Sequence, residues 1–223
     1  MLHRPLLLAA ALTALTLRAE TASLQPLMTQ PGAVLADENF ATAIPKTWRG
    51  NIGRWEVTAG ALHGTEKPEQ KHQAVLRRRF EFKDVVIAFS FRLDKSRQIS
   101  LSINDAKEHV CRLLLNARGF VVQKDDHDHT GPDQAAVFAR VPMTIAAGEW
   151  HTALVEISGS EMVAQIDDAA HVGFGGHELL DRPKANLGFT AAGGTAEFRD
   201  VKVWAATPRA DWTATRQRLA AKK

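Results

Sequence analysis

The feature that most constrains this 223-residue chain is a hydrophobic period of two that returns in one segment after another. Val85, Ile87, Phe89, Phe91 and Leu93 alternate with Val86, Ala88, Ser90 and Arg92, and Ile99, Leu101 and Ile103 alternate with Ser100, Ser102 and Asn104. Successive side chains of an extended strand point to opposite faces, so each segment carries one apolar face and one wetter face. Further strands are expected at residues 54–57, 61–63, 74–82, 110–115, 120–124, 150–157, 162–167, 187–190 and 195–204. Turns at 116–119, 158–161 and 191–194 contain glycines able to take positive φ, and they read as hairpins. Many strands joined by glycine turns, with almost no amphipathic helix between them, predict an all-β antiparallel jelly-roll β-sandwich.

The ends of the chain read differently. His3 and Arg4 precede an almost wholly apolar stretch at residues 5–17, and small residues follow, so residues 1–19 read as a signal peptide with cleavage after Ala19 or Ala22. That stretch falls short of the ~20 residues a spanning helix needs, and no later stretch in the mature chain is apolar enough for a membrane span. The expected location is periplasmic or secreted, from a bacterial cell. Residues 20–36 read as a polar, proline-containing lead-in, 37–206 as the sandwich domain and 207–223 as a tail with a short C-terminal helix around Trp212, Arg216 and Leu219. Cys111 is the only cysteine, so no intrachain disulfide is expected, and its apolar surroundings suit packing better than reactivity.

Removing residues 1–19 takes two arginines and no acid, leaving 26 basic against 25 acidic side chains. This near-balance argues against nucleic acid as a partner, because phosphate binding relies on concentrated positive charge. Arg77-Arg78-Arg79 is the densest basic run, but strand alternation divides it between two faces, which suits a solvated strand edge.

The segment Lys124-Asp125-Asp126-His127-Asp128-His129-Thr130-Gly131-Pro132-Asp133 follows a strand and ends in a turn. A divalent cation of unspecified identity would neutralise its crowded acids, with Asp126, Asp128, His127 and His129 as ligands; imidazole suits zinc and carboxylate suits calcium or magnesium. The alternative is a solvated loop whose aspartates hydrogen-bond their own backbone. Counting outward from the 116–119 turn places His109 opposite Asp126, so His109 is expected beside this loop. His127, His129 and His109 are therefore candidate catalytic residues, able to supply a base near neutral pH. No Gly-x-Ser-x-Gly elbow, phosphate-binding glycine loop, His-Glu-x-x-His motif or strand bearing paired glycosidase carboxylates is present.

A longer pattern begins with Trp55-Glu56-Val57-x-x-Gly60-Ala61-Leu62-His63-Gly64 and continues with Phe89-Ser90-Phe91-Arg92-Leu93 and Gly148-Glu149-Trp150-His151. It ends with the strand beginning Glu161-Met162-Val163 and with Phe198-Arg199-Asp200-Val201-Lys202-Val203-Trp204. Over residues 37–205 this order resembles the 3-keto-disaccharide hydrolase domain family, although residues 94–98 differ from the common pattern. The resemblance implies a concanavalin-A-like fold and a carbohydrate partner. It also implies a hydrolase or lyase that removes the C2 hydrogen of a 3-keto-glycoside with a base and expels the aglycone by elimination. Arg92, on the polar side of its strand, is then a candidate for substrate binding. The alternatives are a non-catalytic lectin-like or laminin-G-like binding module and a structural domain of the cell envelope.

Overall fold

The computed structural model describes residues 24–221; the segment read as a signal peptide, with its cleavage point, lies outside them. Fifteen strands and one helix follow in order: β1 (Thr29–Glu38), β2 (Trp48–Ile52), β3 (Arg54–Thr58), β4 (Ala61–Thr65), β5 (Ala74–Phe82), β6 (Val85–Leu93), β7 (Gln98–Asn104) and β8 (His109–Asn116). After these come β9 (Gly119–Lys124), β10 (Ala136–Pro142), β11 (His151–Ser158), β12 (Glu161–Ile166), β13 (Val172–Gly176), β14 (Lys184–Ala192), β15 (Thr195–Pro208) and α1 (Trp212–Ala220). They form two antiparallel sheets. One runs β13-β12-β11-β6-β15-β4-β3, with β1 also pairing β15, and the other runs β10-β9-β8-β7-β14-β5-β2. The expected jelly-roll sandwich with a short C-terminal helix is the observed fold.

The inner faces meet as the alternation requires. Val85, Ile87, Phe89, Phe91 and Leu93 are all buried, as are Ile99, Leu101 and Ile103 opposite them. Phe189 on β14 stacks on Phe198 on β15 with centroids 4.2 Å apart, and Trp48 also stacks on Phe189 at 5.6 Å. These rings tie the sheets together, and each full burial contributes about 2–3 kcal/mol.

Four strands were not legible from alternation. β1 begins within the segment read as a lead-in; it contains Pro31 and Gly32 and pairs with β15 alone, an edge position where a missing N–H is tolerated. β13 contains three glycines because two of them lie against the other sheet: a side chain at Gly173 would meet Val122 and Phe120, and one at Gly175 would meet Phe138. β2 and β10 are sheet edges.

The outer faces of the two sheets differ. Over the eight-stranded sheet, Met28, Val163, Val172, Phe174 and Trp212 form a second apolar cluster that seats α1 and the entry to β1. The buried Glu156 of β11 accepts from the N–H groups of Leu27 (2.8 Å), Met28 (2.9 Å) and Thr29 (2.7 Å) and from the Thr29 hydroxyl (2.8 Å). Trp212 Nε1 donates to Glu161 at 2.8 Å. Among the described residues no helix is long and apolar enough to cross a membrane.

Candidate functional site on the seven-stranded sheet

The outer face of the seven-stranded sheet carries polar side chains in register. One row runs from Arg49 on β2 through Arg77, Gly188 and Ser102 to Arg112 and Gln123 on β9. The next row runs Arg79, Asn186, Asn104 and His109. A third holds Thr190 and Ser100, whose hydroxyls are 2.7 Å apart. Two open depressions of about 330 and 180 Å³ lie on this face, and Arg77 and Arg79 line both. Gly188 shapes the floor. A Cβ there would stand 2.7 Å from the Leu76 carbonyl oxygen and 2.8 Å from Arg77 Cγ, so only glycine lets the Arg77 stem cross it.

At one end of these rows the β7–β8 turn meets the β9–β10 loop. Asn104 takes its orientation from its neighbours: its amide nitrogen donates to His109 Nδ1 (2.6 Å) and Ser102 Oγ (3.1 Å), and its oxygen accepts from Arg77 Nε at 3.2 Å. His109 is therefore the neutral tautomer with its proton on Nε2, which lies 3.4 Å from Glu108. Burial pushes the His109 imidazole down to about 4, with Arg112 and Arg77 lowering it further and Glu108 opposing them. Glu108 also lies 3.3 Å from His129 Nε2, and the His129 ring stands edge-on to His109 at 6.4 Å.

Asp105 holds this corner together. One oxygen accepts from the N–H groups of Lys107 and Glu108, both at 2.8 Å, and the other accepts from His127 Nε2 (2.8 Å) and Arg182 (2.9 Å). Burial alone would raise its carboxyl, but these donors outweigh it and hold Asp105 well below the usual carboxylate range. The short β8–β9 hairpin makes the juxtaposition legible: Cys111 pairs with Lys124 and Asp125 N donates to the Val110 carbonyl, which brings the β9–β10 loop back to His109. Asp125 lies 3.0 Å from Arg112, and burial pushes its carboxyl up while Arg112 opposes the shift. Lys124, at 1% exposure, turns inward to Asp133 and the Gln134 carbonyl.

The loop aspartates serve backbone turns. Asp126 accepts from His129 N (2.8 Å), Asp128 accepts from Gly131 N (2.9 Å) and Asp133 accepts from His127 N (3.0 Å). Among the described residues, no three His, Cys, Asp or Glu side chains converge as a metal site, and Asp126, Asp128, His127 and His129 are not gathered around one point in this structure. The crowded negative charge of the segment is instead answered by peptide N–H groups, Lys124 and Arg112.

Arg92 is placed away from the histidines, on the outer face of the other sheet. There it pairs with Glu197, and its guanidinium lies 4.9 Å from the Trp150 ring, which Arg199 also covers at 4.0 Å. His151 is a core histidine held by Asp167 (2.7 Å) and the Ala146 carbonyl (3.1 Å). The buried Cys111 thiol is pushed up to about 12, which removes it from reactivity near neutral pH. Alternation marked Ser100, Ser102 and Asn104 as wet-face residues. Arg49, Asn186 and Arg182 came from segments with no local signal, since only the sheet order brings them to this face.

No family model matches the chain, and no curated protein sequence matches it. Solved structures do resemble it. The carbohydrate-binding module CBM66 from Bacillus subtilis superposes with a TM-score of 0.58 at 15% identity, over 71% of this chain and 96% of the module. The laminarinase from Rhodothermus marinus gives 0.59 at 12% identity, over 80% and 99%. The Crh5 transglycosylase gives 0.61 at 12% identity, over 83% and 89%. At such identities the likeness is one of fold: this chain shares the two-sheet jelly roll of these proteins.

Proposed function

We propose that this is a carbohydrate-active protein that takes a sugar ligand on the outer face of the seven-stranded sheet. The observation that carries this reading is the row of polar side chains from Arg49 to His109. Guanidinium groups line both depressions, the Asn104 and Asn186 amides line the second, and the Ser100, Ser102 and Thr190 hydroxyls lie in register beside them, while much of the opposite sheet is closed by α1 and the β1 entry. Amides and hydroxyls both donate and accept, as sugar hydroxyls require. The structures of similar fold include a carbohydrate-binding module and carbohydrate-processing enzymes, which supports the same class of ligand. The signal-like residues 1–19 support action outside the cytoplasm. Affinity electrophoresis of the mature protein in gels containing a panel of polysaccharides tests the proposal. Retardation that Asn104→Ala weakens is the expected result, and free migration in every gel would overturn it.

A catalytic reading is favoured by one further observation. His129 is half exposed, and its Nε2 faces Glu108, so a carboxylate orients the ring and leaves Nδ1 toward solvent as a general base. In the elimination expected for a 3-keto-glycoside, that nitrogen would take the C2 proton, the C2–H electrons would form a C1=C2 double bond as the C1–O bond breaks, the aglycone oxygen would take a proton from solvent, and water would then add back at C1. Turnover of 3-keto-glucosides, abolished by His129→Ala and kept by Arg92→Gln, is the expected result. No turnover by the folded protein would leave the binding reading alone.

A further inference from the structure

Three arginines on this face make no ion pair among the described residues, although Glu108 acts on Arg77 from the same depression. Arg49 and Arg77 are direct cross-strand partners, and Arg79 follows Arg77 on the same face, two residues or ~7 Å along β5. Like charges placed opposite each other in a sheet are destabilising. Neighbouring arginines are neutralised: Arg78 turns inward to Glu38 at 3.0 Å, and Arg112 lies 3.0 Å from Asp125. Among the described residues, no carboxylate lies within ion-pair distance of Arg49, Arg77 or Arg79. Glu108, at the same rim, is turned to His109 and His129. Asp105 is taken by Arg182 and His127. Arg77 and Arg79 thus line both depressions and Arg49 one of them, and none of the three is held in an ion pair among the described residues.

From this juxtaposition of Arg49, Arg77 and Arg79 beside Asn104 and Asn186, we infer that the ligand is an acidic glycan, a sugar chain bearing carboxylate or sulfate groups. This inference rests on the proposal that the face binds carbohydrate and names the ligand class. The planar five-donor guanidinium matches the two oxygens of a carboxylate or sulfate, and the asparagine amides suit the hydroxyls between them. Nucleic acid is the competing polyanion. Binding of single strands draws on aromatic stacking platforms, and the described side chains of this outer face supply no Phe or Trp ring.

Titration calorimetry of the mature protein with polygalacturonate, dextran sulfate, uncharged dextran and oligo-dT tests the inference. Arg49→Gln/Arg79→Gln removes two exposed groups, melting curves verify folding, and Arg218→Gln on α1 is the control. The expected result is binding to polygalacturonate or dextran sulfate, the pair of ligands showing which anion is preferred. The double variant should weaken it about tenfold, roughly 1.4 kcal/mol, the control should not, and rising salt should weaken the wild type more than the variant. Three results overturn the inference: acidic and neutral polymers bound equally, acidic binding unmoved by the double variant, or oligo-dT bound as tightly as the glycans. Binding to dextran alone overturns it yet leaves the carbohydrate reading standing, whereas silence toward every sugar sinks both.

Discussion

His109 should make the stability of this protein depend on pH in a window set by its environment. Its ordinary value is 6.5, and in the fold it is lowered to about 4 by burial and by Arg112 and Arg77. Above 6.5 the imidazole is neutral in both folded and unfolded chains, and its share of stability is fully present. As pH falls from 6.5 toward 4 the unfolded chain takes up a proton that the folded chain refuses, so stability is lost across that interval. The full shift corresponds to at most about 3 kcal/mol. The ring is 20% exposed and faces Glu108, so solvent screening reduces the figure to about 1–2 kcal/mol. Other groups titrate nearby. Asp105 is lowered and loses stability as acid protonates it, whereas Glu156 and Asp125 are raised by burial, so stability gains as pH falls through their folded values. A difference measurement isolates His109: urea unfolding of wild type and His109→Gln at pH 7, 6, 5 and 4. The wild type should lose about 1–2 kcal/mol more than the variant between pH 7 and 4. Parallel pH profiles would refute the reasoning.

Glu156→Ala should destabilise the fold by about 3–5 kcal/mol, because it strands three N–H groups and the Thr29 hydroxyl that one buried carboxylate receives. Denaturant melts measure the loss, and early protease cleavage near Met28 should accompany it. Asp133→Ala should cost ~2–4 kcal/mol by leaving the buried Lys124 ammonium with the Gln134 carbonyl, and Lys124→Met in the same chain should recover part of it. Thermal melts of the pair and the single variant give the comparison. Arg182→Met should leave the fold intact but speed amide exchange across residues 126–133, since Asp105, which also holds His127, loses one of its charged donors. Exhaustive treatment with a chelator should leave the melting temperature unchanged, because the loop aspartates are spent on peptide N–H groups; a fall of several degrees would mean the loop holds a cation.

The strands with clean alternation were legible because their two faces meet different solvents. Val85 through Leu93 and Ile99 through Ile103 have one face in the core, and burial selects apolar residues at every second position. β13 broke the pattern because Gly173 and Gly175 lie under side chains of the opposite sheet, and β1 broke it at Pro31 because an edge position tolerates proline. The meeting of His109 with the 124–133 loop was legible for a different reason: both sit equidistant from one short hairpin turn, so counting suffices. Arg92 shows the limit of that method. Alternation placed it on a polar face, but it could not say which of two sheets owned the face, and only the pairing of β6 with β15 and β11 does so. The same limit hid the arginine cluster. Alternation rightly parted Arg78 from Arg77 and Arg79, yet the third member, Arg49, joins through β2, a strand with no alternation of its own.

The two sheets answer buried polarity in opposite ways, and this difference favours the proposed site. On the eight-stranded sheet, Glu156 is fully buried and its oxygens are used by the chain itself, so its charge fixes the N-terminal segment and leaves nothing for a ligand. On the seven-stranded sheet, Ser100, Ser102, Asn104 and Thr190 are nearly as buried, yet among the described residues no helix covers them. A surface row of small hydroxyls and amides does little for stability, because water would hydrogen-bond these groups equally well in the unfolded chain. Placing Arg49 opposite Arg77 is an outright cost to folding. Such features persist in a folded chain when they serve something other than the fold. The conflict between local stability and composition is concentrated on this one face, beside the His109 corner.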